Sequence, residues 1–241
     1  MTNPQLNNLH YFLSGDIRKS ICATVYGYNQ ERAEKCRLCG LPFFRAKYSE
    51  LEAEIRYPQK KWPDLLYATA CPSLINTRVL NDLQEAGVHD YKIHPVKLIN
   101  VPVKYTPTPD YWILEPIVET SYKTIISPTD IRNKIICKEC GYWDWTKLDN
   151  ADKLPMPIYK LVKEPPSHNF IYARRSVSFL NIWTQKIVDL AHEKKWSYCK
   201  IRNVEYMVEI DHLNPDWQQQ LLIDIQRREE EVKTGTIIDK K

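Results

Sequence analysis

The sequence predicts an α+β fold of two similar halves, each a cysteine knuckle followed by a strand, a helix and a strand. Three observations carry that expectation. Two Cys-x-x-Cys-Gly segments, Cys36-Arg37-Leu38-Cys39-Gly40 and Cys137-Lys138-Glu139-Cys140-Gly141, stand 101 residues apart. Each precedes short apolar runs of strand type that bracket one amphipathic helical run. The offset between matching positions grows only from 101 at the cysteines to 105 at Tyr67 and Tyr172 and 108 at Lys92 and Lys200, so a few inserted residues relate the halves.

The elements follow in order. Tyr11-Phe12-Leu13 and Ile21 to Tyr26 read as strands around a polar turn at Ser14-Gly15-Asp16. After the first knuckle, Leu41-Pro42-Phe43-Phe44 reads as extended and Leu65-Leu66-Tyr67-Ala68 as a short buried strand. Asn76 to Ala86 reads as a helix with Val79, Leu80 and Leu83 on one face, ended by Gly87, which is free to turn left-handed. A strand runs through Tyr91-Lys92-Ile93 and Val96 to Ile99, with His94-Pro95 as an interruption. The proline-bearing stretch Pro102 to Pro116 is too broken for a central strand and reads as the connection between halves.

Beyond the second knuckle, Asn169 to Ala173 takes the place of Leu65 to Ala68. A helix through Trp183, Ile187, Val188 and Ala191 follows, and Tyr198 to Ile201 and Val204 to Met207 answer the strand at Tyr91 to Ile99. A last helix has Asn214 as its cap, Pro215 at its first position and Trp217, Leu221 and Ile225 on one face, with Gly235 closing it. The mixed charges of Arg227 to Glu231 read as a solvated helix surface. The expected division is 1–115, 116–213 and a C-terminal helix and tail at 214–241, within what can be one compact domain.

With 241 residues, 43% of them hydrophobic and 27% charged, the chain can bury a sizeable core. Its start shows no basic segment followed by an apolar run, and no stretch has the apolar length a bilayer requires, so a cytoplasmic location is expected. A net charge of +4 falls short of the concentrated basic stripe of a dedicated nucleic-acid binder.

Cys36, Cys39, Cys137 and Cys140 supply four thiolates, the number that closes a tetrahedral zinc site. A redox dithiol would want a helix right after each pair, whereas aromatic extended segments follow both, Tyr142-Trp143-Asp144-Trp145 in the second case. Structural disulfides lack a secretory context. Cys22, Cys71 and Cys199 stand alone among apolar neighbours and read as buried free thiols. Four cysteine ligands leave zinc no open position, so the site would stabilise a fold rather than activate water.

Catalytic patterns are lacking in the sequence. Six glycines form no phosphate loop, no serine sits in a nucleophile elbow, and the six histidines occur singly. His192-Glu193 and Asp211-His212 are neighbours in sequence without any sign of catalytic geometry. The expectation is a protein that is not an enzyme. Aromatic and arginine side chains are what interfaces use as anchors, which makes Tyr111, Trp112, Trp143, Trp145, Arg174 and Arg175 candidate partner contacts.

Two widely spaced Cys-x-x-Cys-Gly motifs, each leading into strand, helix and strand, resemble the double-CxxCG motif family of bacterial immunity proteins, found with polymorphic toxin and outer-membrane-exchange toxin systems. The resemblance spans about Tyr11 to Met207 and rests on Cys36, Cys39, Gly40, Cys137, Cys140 and Gly141, supported by Leu65 to Ala68 and Tyr91 to Ile93. The chain departs from the family pattern at Arg37-Leu38, where proline or a small polar residue is usual. It departs again at Ile75-Asn76-Thr77-Arg78, where a serine-glutamate-arginine lead is usual. The resemblance implies inhibition by binding: a cytosolic protein docks on a cognate toxin domain, encoded by an adjacent gene, and silences it without catalysis. Two rival expectations remain, a zinc-ribbon nucleic-acid-binding protein and a thiol oxidoreductase.

Overall fold

Apolar and aromatic residues at alternating positions turn most of this chain into strands, with helices only where apolar residues recur at three and four. The computed structural model describes residues 6, 8–16, 22–56, 61–69, 71–102, 107–125, 137, 139–140, 156–161, 168–174 and 181–235. The first part of the chain gives β1 (His10–Gly15), β2 (Cys22–Lys35), β3 (Pro42–Arg56), β4 (Leu65–Thr69), β5 (Leu74–Asn76), α1 (Thr77–Glu85) and β6 (Tyr91–Ile99). The rest gives β7 (Tyr111–Pro116), β8 (Glu119–Ile125), β9 (Ile158–Leu161), β10 (Phe170–Arg174), β11 (Asn181–Thr184), α2 (Gln185–Lys194), β12 (Cys199–Asn203), β13 (Glu209–Ile210) and α3 (Trp217–Thr234). The fold is mixed α+β, mostly strands.

Six strands close a barrel in the order β2-β3-β6-β7-β5-β4, and seven form a second sheet in the order β13-β12-β1-β11-β10-β8-β9. Each sheet takes a strand from the other side of the chain. β1 lies between β11 and β12, and β7 lies between β5 and β6. Sheet membership therefore crosses a boundary drawn at residue 115. The barrel order β3-β2-β4-β5-β7-β6 and the sheet order β9-β8-β10-β11-β1-β12 follow the same pattern: an antiparallel pair, a parallel neighbour, then an antiparallel strand leading directly into a helix. The sheet also bends round toward closure, because Tyr159 N in β9 donates to Glu205 O at 2.8 Å, just past β12.

The first two helices, α1 and α2, end alike. Past α1, Gly87 takes a φ of 73° and Val88 N donates to Leu83 O at 2.9 Å; past α2, Lys195 takes a φ of 51° and Trp196 N donates to Ala191 O at 3.1 Å. Both closures tie a left-handed residue to the last carbonyls of the helix. Asn76 caps α1, its side-chain oxygen accepting from Val79 N at 3.0 Å.

Cross-links run both ways between the barrel and the sheet. Asp64, just before β4, accepts from Ser197 N at 2.7 Å and donates its own N–H to Ser197 Oγ at 3.0 Å. Asp90, just before β6, accepts from Phe170 N at 3.0 Å and from Asn169 N. The largest apolar core spans this junction, with Leu65, Ile75 and Leu83 packed in one cluster with Tyr11, Phe170, Trp183 and Trp196. A second core fills the barrel around Leu66, Leu74 and Ile113, and a third gathers Phe12, Tyr122, Ile171 and Ile182 on the sheet.

Several expectations need correction. β6 runs unbroken through His94-Pro95, and its pairing with β3 begins only at Lys97, so Pro95 lies beyond the reach of that ladder, a position where a strand tolerates proline. The stretch ending at Pro116 contains a central barrel strand, β7, because the prolines stop at position 109 and resume at its last residue. β1 and β2 do not form a hairpin; they belong to different sheets. Val204 to Tyr206 is a turn rather than strand, held by Tyr206 N donating to Asn203 Oδ1 at 2.8 Å. Asp216, not Asn214, occupies the cap position of α3; Asn214 instead forms a turn, its Oδ1 accepting from Asp216 N at 2.9 Å. The charged run of α3 is partly internal, since Glu231 is buried and binds Arg228 Nη1 at 2.7 Å.

Candidate metal centre

β2 and β3 are 14 and 15 residues long, yet the barrel holds only their inner ends, Cys22 to Thr24 against β4 and Glu52 to Glu54 against β6. From the Tyr28–Tyr48 pair outward the two strands pair with each other as far as Lys35–Pro42. Eight residues at about 3.3 Å each make this a ribbon roughly 25 Å long. It carries the first knuckle at its tip.

The knuckle is a tight turn. Gly40 N donates to Cys36 O and Cys36 N to Leu41 O, both at 2.9 Å. Gly40 has a φ of 71° and open space around its Cβ position, so backbone conformation rather than crowding calls for glycine here. Of the second knuckle, Cys137, Glu139 and Cys140 are described.

The four sulfurs converge. All lie within 4.8 Å of one another, with Cys36 Sγ 3.7 Å from Cys137 Sγ and Cys39 Sγ 3.6 Å from Cys140 Sγ. A tetrahedron with zinc–sulfur bonds of about 2.3 Å has edges of about 3.8 Å, so the spacing fits a metal. A disulfide would need about 2.05 Å. All four cysteines are free thiols, Cys36 buried and Cys39 exposed.

Two of the four thiols are shifted, in opposite directions. Loss of solvent alone would raise the Cys137 thiol, but amide hydrogen bonds from Cys140 and Glu139, with thiol bonds from Cys140 and Cys39, bring it down to about 7. Cys39 moves the other way, pushed up by loss of solvent and by its bond to Cys36. Ligand binding to such a cluster displaces protons as the thiols become thiolates.

Glu139 is a residue the sequence reading passed over. Its Oε2 accepts from Leu38 N of the opposite knuckle at 2.9 Å and lies 3.3 Å from Cys36 Sγ. The signal available was only its place between Cys137 and Cys140, where many residue types would serve. It fastens one knuckle to the other through the protein itself.

The proposed partner contacts divide. Tyr111 is a core residue of the barrel, 1% exposed, donating its hydroxyl to Pro63 O at 2.7 Å; the reading of it as a surface anchor is corrected. Trp112 is half-buried and donates Nε1–H to Thr77 Oγ1 at 3.1 Å. Arg174 is the last residue of β10. Trp143, Trp145 and Arg175 lie outside the described residues.

Cys199 is buried, and burial raises its thiol; Cys22 and Cys71 are half-buried, with burial pushing Cys71 up to about 12. His212 is buried against Trp196 O at 3.3 Å, and His192 lies beside the Trp217 ring at 6.4 Å between centroids.

Four thiols at tetrahedral spacing on two separate segments form a site that can hold one metal ion and thereby join those segments. No protein-family model matches the chain, and no curated protein matches it.

Proposed function

We propose that this chain is an immunity protein that binds and neutralises a cognate bacterial toxin domain in the cytoplasm, without catalysis, on a scaffold braced by structural zinc. The observation that carries the reading is the meeting of two knuckles 101 residues apart in one four-thiol cluster. Saturated with cysteine, such a centre has no position left for substrate. Its use is mechanical: it fixes the ribbon of β2 and β3 to the segment after β8. A scaffold fixed before it meets its partner loses less freedom on binding, which favours tight inhibition. The resemblance to the double-CxxCG family supplies the partner class.

The reading includes an origin in two related units, β1 to β6 and β7 to β12, that trade their first strands. The matching strand orders, the matching helix closures past Gly87 and Lys195, and the reciprocal anchors at Asp64 and Asp90 support it.

Co-expression with the product of the adjacent gene tests the function. The expected result is rescue of growth and a complex of one chain with one toxin domain that survives purification. A chain that contains zinc yet neither binds nor protects against that product would overturn the immunity reading while leaving the metal site standing.

A further inference from the structure

The sulfur contacts at 3.6 and 3.7 Å, Cys39 to Cys140 and Cys36 to Cys137, both run from one knuckle to the other. A disulfide across either contact needs its sulfurs to close by only about 1.5 Å, to about 2.05 Å. Glu139 keeps the knuckles in that register, because its Oε2 accepts from Leu38 N at 2.9 Å and so pins the middle of the first knuckle to the second.

The two contacts differ in access. Cys36 is buried, with Glu139 Oε2 3.3 Å from its sulfur. Cys39 is exposed, next to Leu38 at 63% exposure, and Cys140 is half-buried. With a metal bound all four sulfurs are thiolates, so access decides which one an oxidant meets first. That sulfur is Cys39.

We infer that the knuckles are a redox modification site, at which a hydroperoxide converts the metal brace into a covalent one through a Cys39–Cys140 disulfide joining positions 101 residues apart. With hydrogen peroxide, the Cys39 thiolate attacks one oxygen, the O–O bond breaks, hydroxide leaves and Cys39 becomes a sulfenic acid. The Cys140 thiolate then attacks that sulfur, the S–S bond forms and a second hydroxide leaves. Two thiolates together give up two electrons, the peroxide takes them, and the two hydroxides carry away the charge. Cys36 and Cys137 remain as two ligands where a closed site needs four, so the metal is released. The ribbon of β2 and β3 stays fastened, since the disulfide spans the same two knuckles. The conversion presupposes the zinc brace proposed above and draws nothing from the toxin partner.

Treatment of the zinc-loaded full chain with hydrogen peroxide tests this, read by zinc release to a chromogenic chelator, non-reducing peptide mapping and hydrogen exchange across residues 28–48. One zinc should be released per cross-link, and the main cross-linked peptides should join Cys39 to Cys140. Exchange of the oxidised ribbon should stay within about twofold of the untreated chain, against about tenfold faster after stripping with a chelator under reducing conditions. Peroxide added to the stripped chain should restore slow exchange, and a dithiol reductant should abolish it again. A failure of the zinc brace itself is seen before any peroxide is added, as a purified chain with no metal to release. Disulfides confined to one knuckle, four thiols left intact, or a ribbon that exchanges as fast after oxidation as after stripping would overturn the modification site.

Discussion

Glu139 and Gly15 show how single positions carry the architecture. Glu139 makes a charge-assisted bond to Leu38 N across the two knuckles, so it orients the sulfurs before any metal arrives. Residues that orient ligands in this way commonly change metal affinity about 10–100-fold when removed, and Glu139→Ala is expected to weaken zinc by about tenfold, read by competition with a chelator. Gly15 serves a different need, since any side chain there would strike the backbone of β4. Gly15→Ala should cost roughly 2–3 kcal/mol of stability in urea unfolding, because backbone on both sides has little room to give.

Glu209 governs a pH response. Hydrogen bonding from Lys200, aided by Arg202, holds its carboxyl at about 2 against an ordinary 4.5. The unfolded chain therefore takes up that proton first as acid is added. The stabilisation from Glu209 is complete above about 4.5 and is lost as pH falls toward about 2. Glu209→Gln should be less stable than the parent at pH 7 and should converge with it near the acid end of that window, measured by denaturant unfolding at each pH.

At the level of elements, the helices were the most legible part of the sequence and the sheet partners the least. α1 announces itself through Val79, Leu80 and Leu83 on one face, Asn76 at its cap and Gly87 past its end, all local signals. Nothing local says that Tyr11 pairs with Trp183 and Asn203, because strand pairing is set by cores assembled from distant segments. Prolines misdirected the reading at Pro95 and Pro116, which sit where a strand can do without the missing donor. The cysteine cluster was legible because four identical ligands at paired spacing are rare by chance, whereas Tyr111 was misplaced because an aromatic residue reads alike in a core and at an interface. The two helix ends also suggest an asymmetry that can be tested. Lys195 adopts the left-handed conformation that Gly87 adopts without strain, so Lys195→Gly should stabilise the protein by about 0.5–1 kcal/mol, seen as a higher midpoint of thermal unfolding.

For the whole molecule, the four-thiol cluster acts on a body already joined by a shared apolar core and by Asp64 and Asp90. Metal removal is therefore expected to loosen the ribbon of β2 and β3 without unfolding the cores. Hydrogen exchange after chelation should quicken at the outer ribbon, residues 28–48, and stay slow in α1 and α2. The proposed brace requires both knuckles to close a single zinc site. X-ray absorption at the zinc edge tests it most directly. The expected result is one zinc per chain surrounded by four sulfurs at about 2.3 Å, lost when either Cys36 or Cys137 is replaced by serine. Zinc bound through only two sulfurs, or zinc retained in full when Cys137 is replaced, would contradict it.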